Sequence, residues 1–266
     1  MKYIYSNLFV VIILIFSIFS CKEQVVGTKT QSYEQKIYLV PSDTARGQLN
    51  VKVELEFPAT FSSSSVLDSI HNILVINMFG NEYINIPFDS IPQIYAAAVI
   101  ADYKKTSLSD LQEFEQKVPS FSLGTFHHYT EGFPLMNDGR IFSYGYTRDV
   151  YIGGAQGLQT YNYFNFDLKT GHLLDENDIF INNYQNSLSE IIKNAILEKN
   201  ADAQYPDTIM PNGNFYISDD GITYLYNVYE IAPYYVTQTE AFLPYSQLKG
   251  ILRKDSPIYY LVSASK

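Results

Sequence analysis

The sequence predicts an α+β fold, with antiparallel sheet and packed helices. Three observations predict it. Residues 48–57 alternate strictly, with Val51, Val53, Leu55 and Phe57 on one face and Lys52, Glu54 and Glu56 on the other. That period of two marks a half-buried strand. Residues 187–200 instead place Leu188, Ile191, Ile192, Ala195 and Ile196 at helical spacing. Asn137-Asp138-Gly139 and Asp219-Asp220-Gly221 separate alternating segments with residues that favour tight hairpin turns. The chain has 266 residues, enough for one large or two small domains, and 46% of them are hydrophobic, enough for a core.

The N-terminus comes first in the chain and sets the expected compartment. Lys2 precedes an almost wholly apolar run, residues 8–19, too short to span a bilayer and placed like a secretion signal. Ile18-Phe19-Ser20-Cys21 resembles the bacterial lipobox, and Cys21 is the sole cysteine. The resemblance implies that residues 1–20 are a lipoprotein signal peptide and that Cys21 carries the lipid, palmitate included. The competing reading is an uncleaved N-terminal anchor with an incidental cysteine. Acyl chains contribute about 0.8 kcal/mol per buried methylene, so such an anchor holds. Lys22-Glu23 looks like the signal that sends some Gram-negative lipoproteins to the outer surface. The expected location is therefore the cell envelope, at the outer membrane of a Gram-negative bacterium. With no second cysteine, the exported body holds together without disulfides.

Residues 21–32 are polar and read as a flexible tether. Strands are expected over 33–40 and 48–57, joined at Arg46-Gly47 and ended by Pro58. The hydroxyls of residues 62–65 offer an N-cap to a helix through Val66, Ile70, Ile73 and Leu74 that ends near Gly80. Residues 82–88 read as extended and broken by Pro87. A second helical region covers 94–117, with an interruption at Ser107-Leu108-Ser109-Asp110, where Ser109 resembles a new N-cap. Strands follow over 122–133 and 139–151.

Residues 151–180 organise the rest. Tyr151-Ile152-Gly153-Gly154-Ala155-Gln156-Gly157 is a glycine-rich turn whose glycines permit positive φ. It suits either an anion-holding nest or a sharp bend between strands, and the bend is the favoured reading. No glycine-lysine-serine or glycine-lysine-threonine run and no helix directly follows the glycines, so neither a P-loop nor a dinucleotide fingerprint fits. Residues 158–168 form a strand, Lys169-Thr170-Gly171 a tight turn, and Asp175–Phe180 a loop capping a helical turn. The helix of 187–200 follows, then strands over 214–217, 221–226 and 241–243. An aromatic loop spans 229–235, a short helix 244–248, and an edge strand or tail 256–262. The expected division is an N-terminal α/β part, 33–120, and a C-terminal α+β domain, 121–266.

The chemistry-bearing residues are sparse. The formal net charge of −10 excludes nucleic acid as partner and permits a cationic one. Tyrosine is abundant, with 24 residues, and gives contact area with a polar tip. The four histidines include the adjacent pair His127 and His128, which on a strand point to opposite faces and cannot share a metal. His71 reads as a boundary residue on its helix. Asp175, Glu176 and Asp178 lack the spacing of a calcium loop and read as solvated caps. No metal and no cofactor is expected.

In order, YIGGAQG, YNYFNFDLKTGHLLDENDIF, FYISDDGITYLYNVYEIAPYY and FLPYSQLKGIL resemble the C-terminal domain of the PdaC/RsiV-like family. The likeness covers residues 151–253, and residues 33–120 resemble the preceding α/β part more weakly. It implies the same α+β fold. Members occur in a lysozyme-sensing anti-sigma factor, beside a peptidoglycan deacetylase, and as free-standing lipoproteins. Gln156 stands where the family's turn carries histidine, which puts any histidine-dependent role there in doubt. The expected function is a non-catalytic, lipid-anchored binding protein for a lysozyme-like muramidase or for peptidoglycan. The expected binding residues are Tyr151, Gly153, Gly154, Gln156, Tyr229, Glu230, Pro233 and Tyr234. The alternative is an envelope glycan hydrolase or esterase, for which Asp175 with Asp178, or Glu230, are the available carboxylates.

Overall fold

Strand β1 (Gly27–Tyr38) pairs along its whole length with β2 (Gln48–Thr60), and β2 is the spine of a larger sheet. The computed structural model describes residues 24–118, 121–154, 156–199, 204–232 and 238–264. The alternation in β2 is realised as expected: Val51, Val53, Leu55 and Phe57 are fully buried, while Lys52, Glu54 and Glu56 turn outward. Residues 27–32, expected as part of a tether, belong to β1. Their polar side chains are those of an edge strand wet on one face, which composition alone does not separate from a linker.

Helices α1 (Ser64–Phe79) and α2 (Ile91–Glu115) follow β2. The Ser63 hydroxyl accepts from the Val66 N–H at the start of α1, and Gly80, at φ 110°, ends it. The expected break in α2 is absent. Tyr103, Ser107 and Leu111 recur four apart and are all buried, so one packed stripe carries the helix straight through. Residues 82–88 are not extended either. Short 3₁₀ turns at Asn81–Tyr83 and Phe88–Ser90 flank Pro87 and bury Tyr83.

The two helices carry the chain back to the end where β2 began. Strand β3 (Thr125–Asn137) therefore lies parallel to β2, as a crossover connection allows. The antiparallel sheet expected forms at every other pairing, and β2–β3 is its one parallel pair among the described residues. Strands β4 (Ile141–Tyr151), β5 (Leu158–Asp167) and the two-residue β6 (His172–Leu173) continue antiparallel, in the order β1-β2-β3-β4-β5-β6. The Asp138 carboxylate accepts from the Arg140 and Ile141 N–H groups and shapes the β3–β4 hairpin.

The remainder builds a second layer. It comprises α3 (Glu176–Ile179), α4 (Gln185–Lys199), an antiparallel sheet of β7 (Phe215–Ile217), β8 (Gly221–Tyr226) and β9 (Thr239–Pro244), then α5 (Tyr245–Leu248) and α6 (Tyr259–Ala264). Residues 256–262 thus lead into a helix rather than an edge strand. Ile258, Leu261 and Val262 are buried at spacings of three and four, a helical rather than an alternating pattern.

One core lies between the helices α1 and α2 and the large sheet, and includes Val51, Ile70, Ala96, Phe142 and Phe166. The other lies beneath the small sheet and α4, and includes Ile141, Leu188, Tyr224 and Leu243. Successive residues Ile141 and Phe142 feed opposite cores, so β4 serves both. The expected division at residue 120 cuts through the large sheet, since β2 and β3 pair across it. The junction is a buried polar knot. Asn165 accepts from the Ser143 hydroxyl at 2.7 Å and the Ile217 N–H at 3.0 Å, and donates to the Phe215 carbonyl at 2.8 Å.

Candidate functional site

The glycine turn joins β4 to β5, and the expected bend is what forms. Gly153 and Gly154 have φ of 99° and 90°, where a side chain is strained. Gly153 also lies on the Phe126 ring, at a distance a Cβ would crowd to 3.2 Å. The Tyr151 hydroxyl donates to the Gly154 carbonyl at 2.9 Å and closes the turn. Ile152 projects into solvent, 71% exposed, and Gln156 is exposed beyond it.

The turn borders two different surfaces. On the helix side it overhangs a cleft of about 470 Å³ between α2 and the ends of β2 and β3. Leu49, Ala98, Val99, Tyr103, Phe126 and Ile152 supply its apolar lining, and Asp102, Thr106, Asp110 and the two histidines its polar lining. On the other side is the outward face of β3, β4 and β5. There His127 stacks on Tyr129 with centroids 4.7 Å apart and lies 5.9 Å from Tyr151, while its Nε2 meets Asp149 at 3.1 Å. Tyr161 stands on the same face, two positions along β5 from Gln159, the partner of Asp149. Burial raises the Tyr161 phenol, and the charges of Asp149, Glu240 and Glu131 add to it. Lys52, opposite Tyr129, pairs with Glu54 and lies 3.6 Å from Glu131, and the carboxylates outnumber it, so the tyrosine face keeps a negative field.

His127 and His128 do point apart, as strand alternation requires. What each meets there comes from distant elements and is not written in the local sequence. His128 turns toward the helices, where its Nε2 meets the Tyr95 hydroxyl at 3.0 Å. Burial, then the charges of Arg148 and His127, lower it to about 4. The neutral imidazole is thus favoured in the folded state, and the unfolded chain takes up the proton near 6.5. Stability from this group is present above pH 6.5 and lost as pH falls toward 4, by roughly 2 kcal/mol allowing for residual solvent access. Denaturant melts between pH 7 and 4.5 are expected to show that loss, and His128→Gln to flatten it.

The second expected cluster sits elsewhere. Tyr229 adopts φ 73° and is 64% exposed. Glu230 accepts from Asn212 at 2.8 Å and Asn227 at 3.2 Å. Asn227 in turn accepts from the Tyr161 N–H, which docks this loop on β5 three residues beyond Leu158. At about 3.3 Å per residue, that anchor lies roughly 10 Å along the strand from the glycine turn. Tyr229 and Glu230 therefore flank the tyrosine face and do not line the cleft. Pro233, Tyr234 and Cys21 lie outside the described residues.

The carboxylates considered for hydrolysis are tied into structure. Asp175 accepts from the N–H groups of Asn177 and Asp178, and Asp178 returns the bond to the Asp175 N–H and meets His172 at 3.0 Å. This capping box is the cap expected at 175–178. Glu176 is not a solvated cap. It turns inward and accepts from the Tyr184 and Tyr224 hydroxyls and the Gly213 N–H. Among the described residues no group of three or more histidine, cysteine or acidic side chains gathers to hold a metal ion. Among them, too, no helix is long and apolar enough to cross a membrane.

Residues 177–246 match the model of DUF3298, a protein family of unknown function. The matched segment runs from α3 to α5, so it takes in the second core and the Tyr229–Glu230 loop but not the glycine turn. The fold is also that of solved DUF3298 structures. One, from Bacteroides fragilis, superposes with a TM-score of 0.78 over 90% of this chain and 98% of its own, at 23% identity. Another, from Pseudomonas aeruginosa, gives 0.57 over 86% and 95%, at 16% identity. No curated protein matches the chain.

Proposed function

We propose that the chain is a lipid-anchored binding protein of the cell envelope, non-catalytic, whose tyrosine face receives a cationic protein of the lysozyme type. The observation that carries this reading is the cluster of Tyr129, His127, Tyr151 and Tyr161 among Glu131, Asp149 and Glu240 on the outward face of β3, β4 and β5. Tyrosines give rigid contact area at low entropic cost, and the carboxylates steer a basic partner onto it. The PdaC/RsiV-like resemblance points the same way. The hydrolase or esterase reading is weaker because Asp175, Asp178 and Glu230 use their oxygens to hold backbone and asparagine groups. The reading fails if neither lysozyme nor peptidoglycan fragments are retained above a control lipoprotein. With Asp149→Asn and Glu131→Gln combined, capture of lysozyme is expected to weaken roughly tenfold and to lose salt sensitivity. Retention of peptidoglycan fragments alone would move the partner from protein to glycan.

The anchor rests on Ile18-Phe19-Ser20-Cys21. Cys21→Ser is expected to abolish incorporation of a palmitate analogue and to shift the protein out of the membrane fraction. Labelling that survives this substitution would sink the lipid-anchor reading.

A further inference from the structure

We infer that the cleft beneath the glycine turn receives a peptide segment in which an apolar or aromatic side chain stands beside an arginine or lysine. This deepens the proposed function and rests on it, by naming the chemistry that a basic protein partner presents at one place.

The cleft has the size and lining of a binding site. At about 470 Å³ it falls within the roughly 300–1,000 Å³ usual for ligand sites. Leu49, Val99 and Phe126 give it apolar walls, and the exposed Ile152 extends them at the mouth. Its charge selects the occupant. Asp102, Thr106 and Asp110 recur at four-residue spacing along one side of α2, so both carboxylates rim the same wall. Neither makes a salt bridge among the described residues, and no lysine or arginine lines the cleft. An anionic guest meets two carboxylates at the rim and no cation in the lining, with the charge of Arg148 lying behind His128. A basic side chain lays its methylenes along the apolar wall and keeps its charged head at the acidic rim. His128 on the far side stays uncharged near neutrality and does not oppose it.

Continuity argues for a protein guest. The glycine turn borders both surfaces: Ile152 lines the cleft, and its neighbour Tyr151 lies beside His127 on the tyrosine face. A folded basic partner spans both surfaces, whereas a small free cation uses the cleft alone.

The test titrates the full-length chain with phenylalanyl-arginine amide, with its neutral isostere phenylalanyl-citrulline amide, and with agmatine, followed by calorimetry. The arginine dipeptide is expected to bind roughly tenfold more tightly than the citrulline one, and the Asp102→Asn/Asp110→Asn double variant to erase that difference. Ala98 is exposed, so Ala98→Trp fills the cleft without disturbing the core, and it is expected to remove dipeptide binding at an unchanged melting temperature. Equal binding of the two dipeptides overturns the inference, as does binding that survives Ala98→Trp. Agmatine binding as tightly as the dipeptide overturns the peptide assignment. Lysozyme capture is measured on the same variants. Capture unaffected by Ala98→Trp removes the cleft from the contact while the proposed function stands. Dipeptide binding as expected without capture of any basic protein leaves the cleft chemistry and removes the proposed function.

Discussion

Glu176→Ala is expected to destabilise the protein by about 3–4 kcal/mol, because it strands buried donors rather than merely deleting an acceptor. The carboxylate accepts from Tyr184 at 2.7 Å, from Tyr224 at 3.1 Å and from the Gly213 N–H at 3.1 Å. Tyr224 is among the largest fully buried side chains, and its phenol is pushed well above its ordinary range, first by burial and then by Glu176 itself. Without the carboxylate, a hydroxyl enclosed by β7, β8 and α3 has no acceptor. For a chain of this size the loss corresponds to a drop of roughly 6–16 °C in melting temperature. Glu176→Gln keeps one carbonyl acceptor and the shape, and is expected to cost about 1–2 kcal/mol. Thermal melts of the two variants check the order. Equal, small effects from both would mean that solvent reaches Tyr224 and that Glu176 is no more than a cap.

That residue also marks how far the sequence could be read. The turn chemistry was legible because it is local. Asn137-Asp138-Gly139, Lys169-Thr170-Gly171 and Asp219-Asp220-Gly221 each turn the chain where expected, and Asp175 caps α3. The alternation of β2 and the apolar stripe of α4 were legible for the same reason, since each period is written in a dozen neighbouring residues. Partnership across the fold was not. Nothing near Glu176 shows that Tyr184 and Tyr224, eight and forty-eight residues on, converge on it. Residues 27–32 read as a linker because their hydrogen bonds come from β2, more than twenty residues away. The parallel pairing of β2 and β3 depends on where two helices deliver the chain, which no local pattern records. Within the candidate site, the glycine turn stood out by composition, but the cleft beneath it did not. Its walls are Ala98, Val99 and Asp102 from a helix and Leu49 and Phe126 from two strands, brought together only by packing. Asp102, Thr106 and Asp110 share one side of α2, but all three are exposed and read as an ordinary solvated face, so no local pattern marks them as a rim.

Asn165→Leu tests the joint between the two layers, and it is expected to cost about 3–5 kcal/mol, a loss of the same class as that from Glu176→Ala. Leucine approximates the shape of asparagine, so the change isolates hydrogen bonding from cavity formation. The Asn165 amide is 2% exposed and satisfies three groups at once: the Ser143 hydroxyl, the Ile217 N–H and the Phe215 carbonyl. Two of those belong to β7, the strand by which the small sheet rests on β4 and β5. Backbone groups at a sheet edge buried without partners are costly, so β7 would be expected to lift away or to take in water. The effect should be uneven through the molecule. Amide exchange is expected to speed up across β7 and β8 before it does in β2 and α1, whose core lies on the far face of the large sheet. Ser143→Ala removes one donor and leaves the Asn165–β7 bonds intact, and a loss of about 1 kcal/mol is expected from it. If Asn165→Leu instead loosened both cores together, the two layers would be one cooperative unit, and the side-chain knot would be a consequence of their packing rather than what holds them in register.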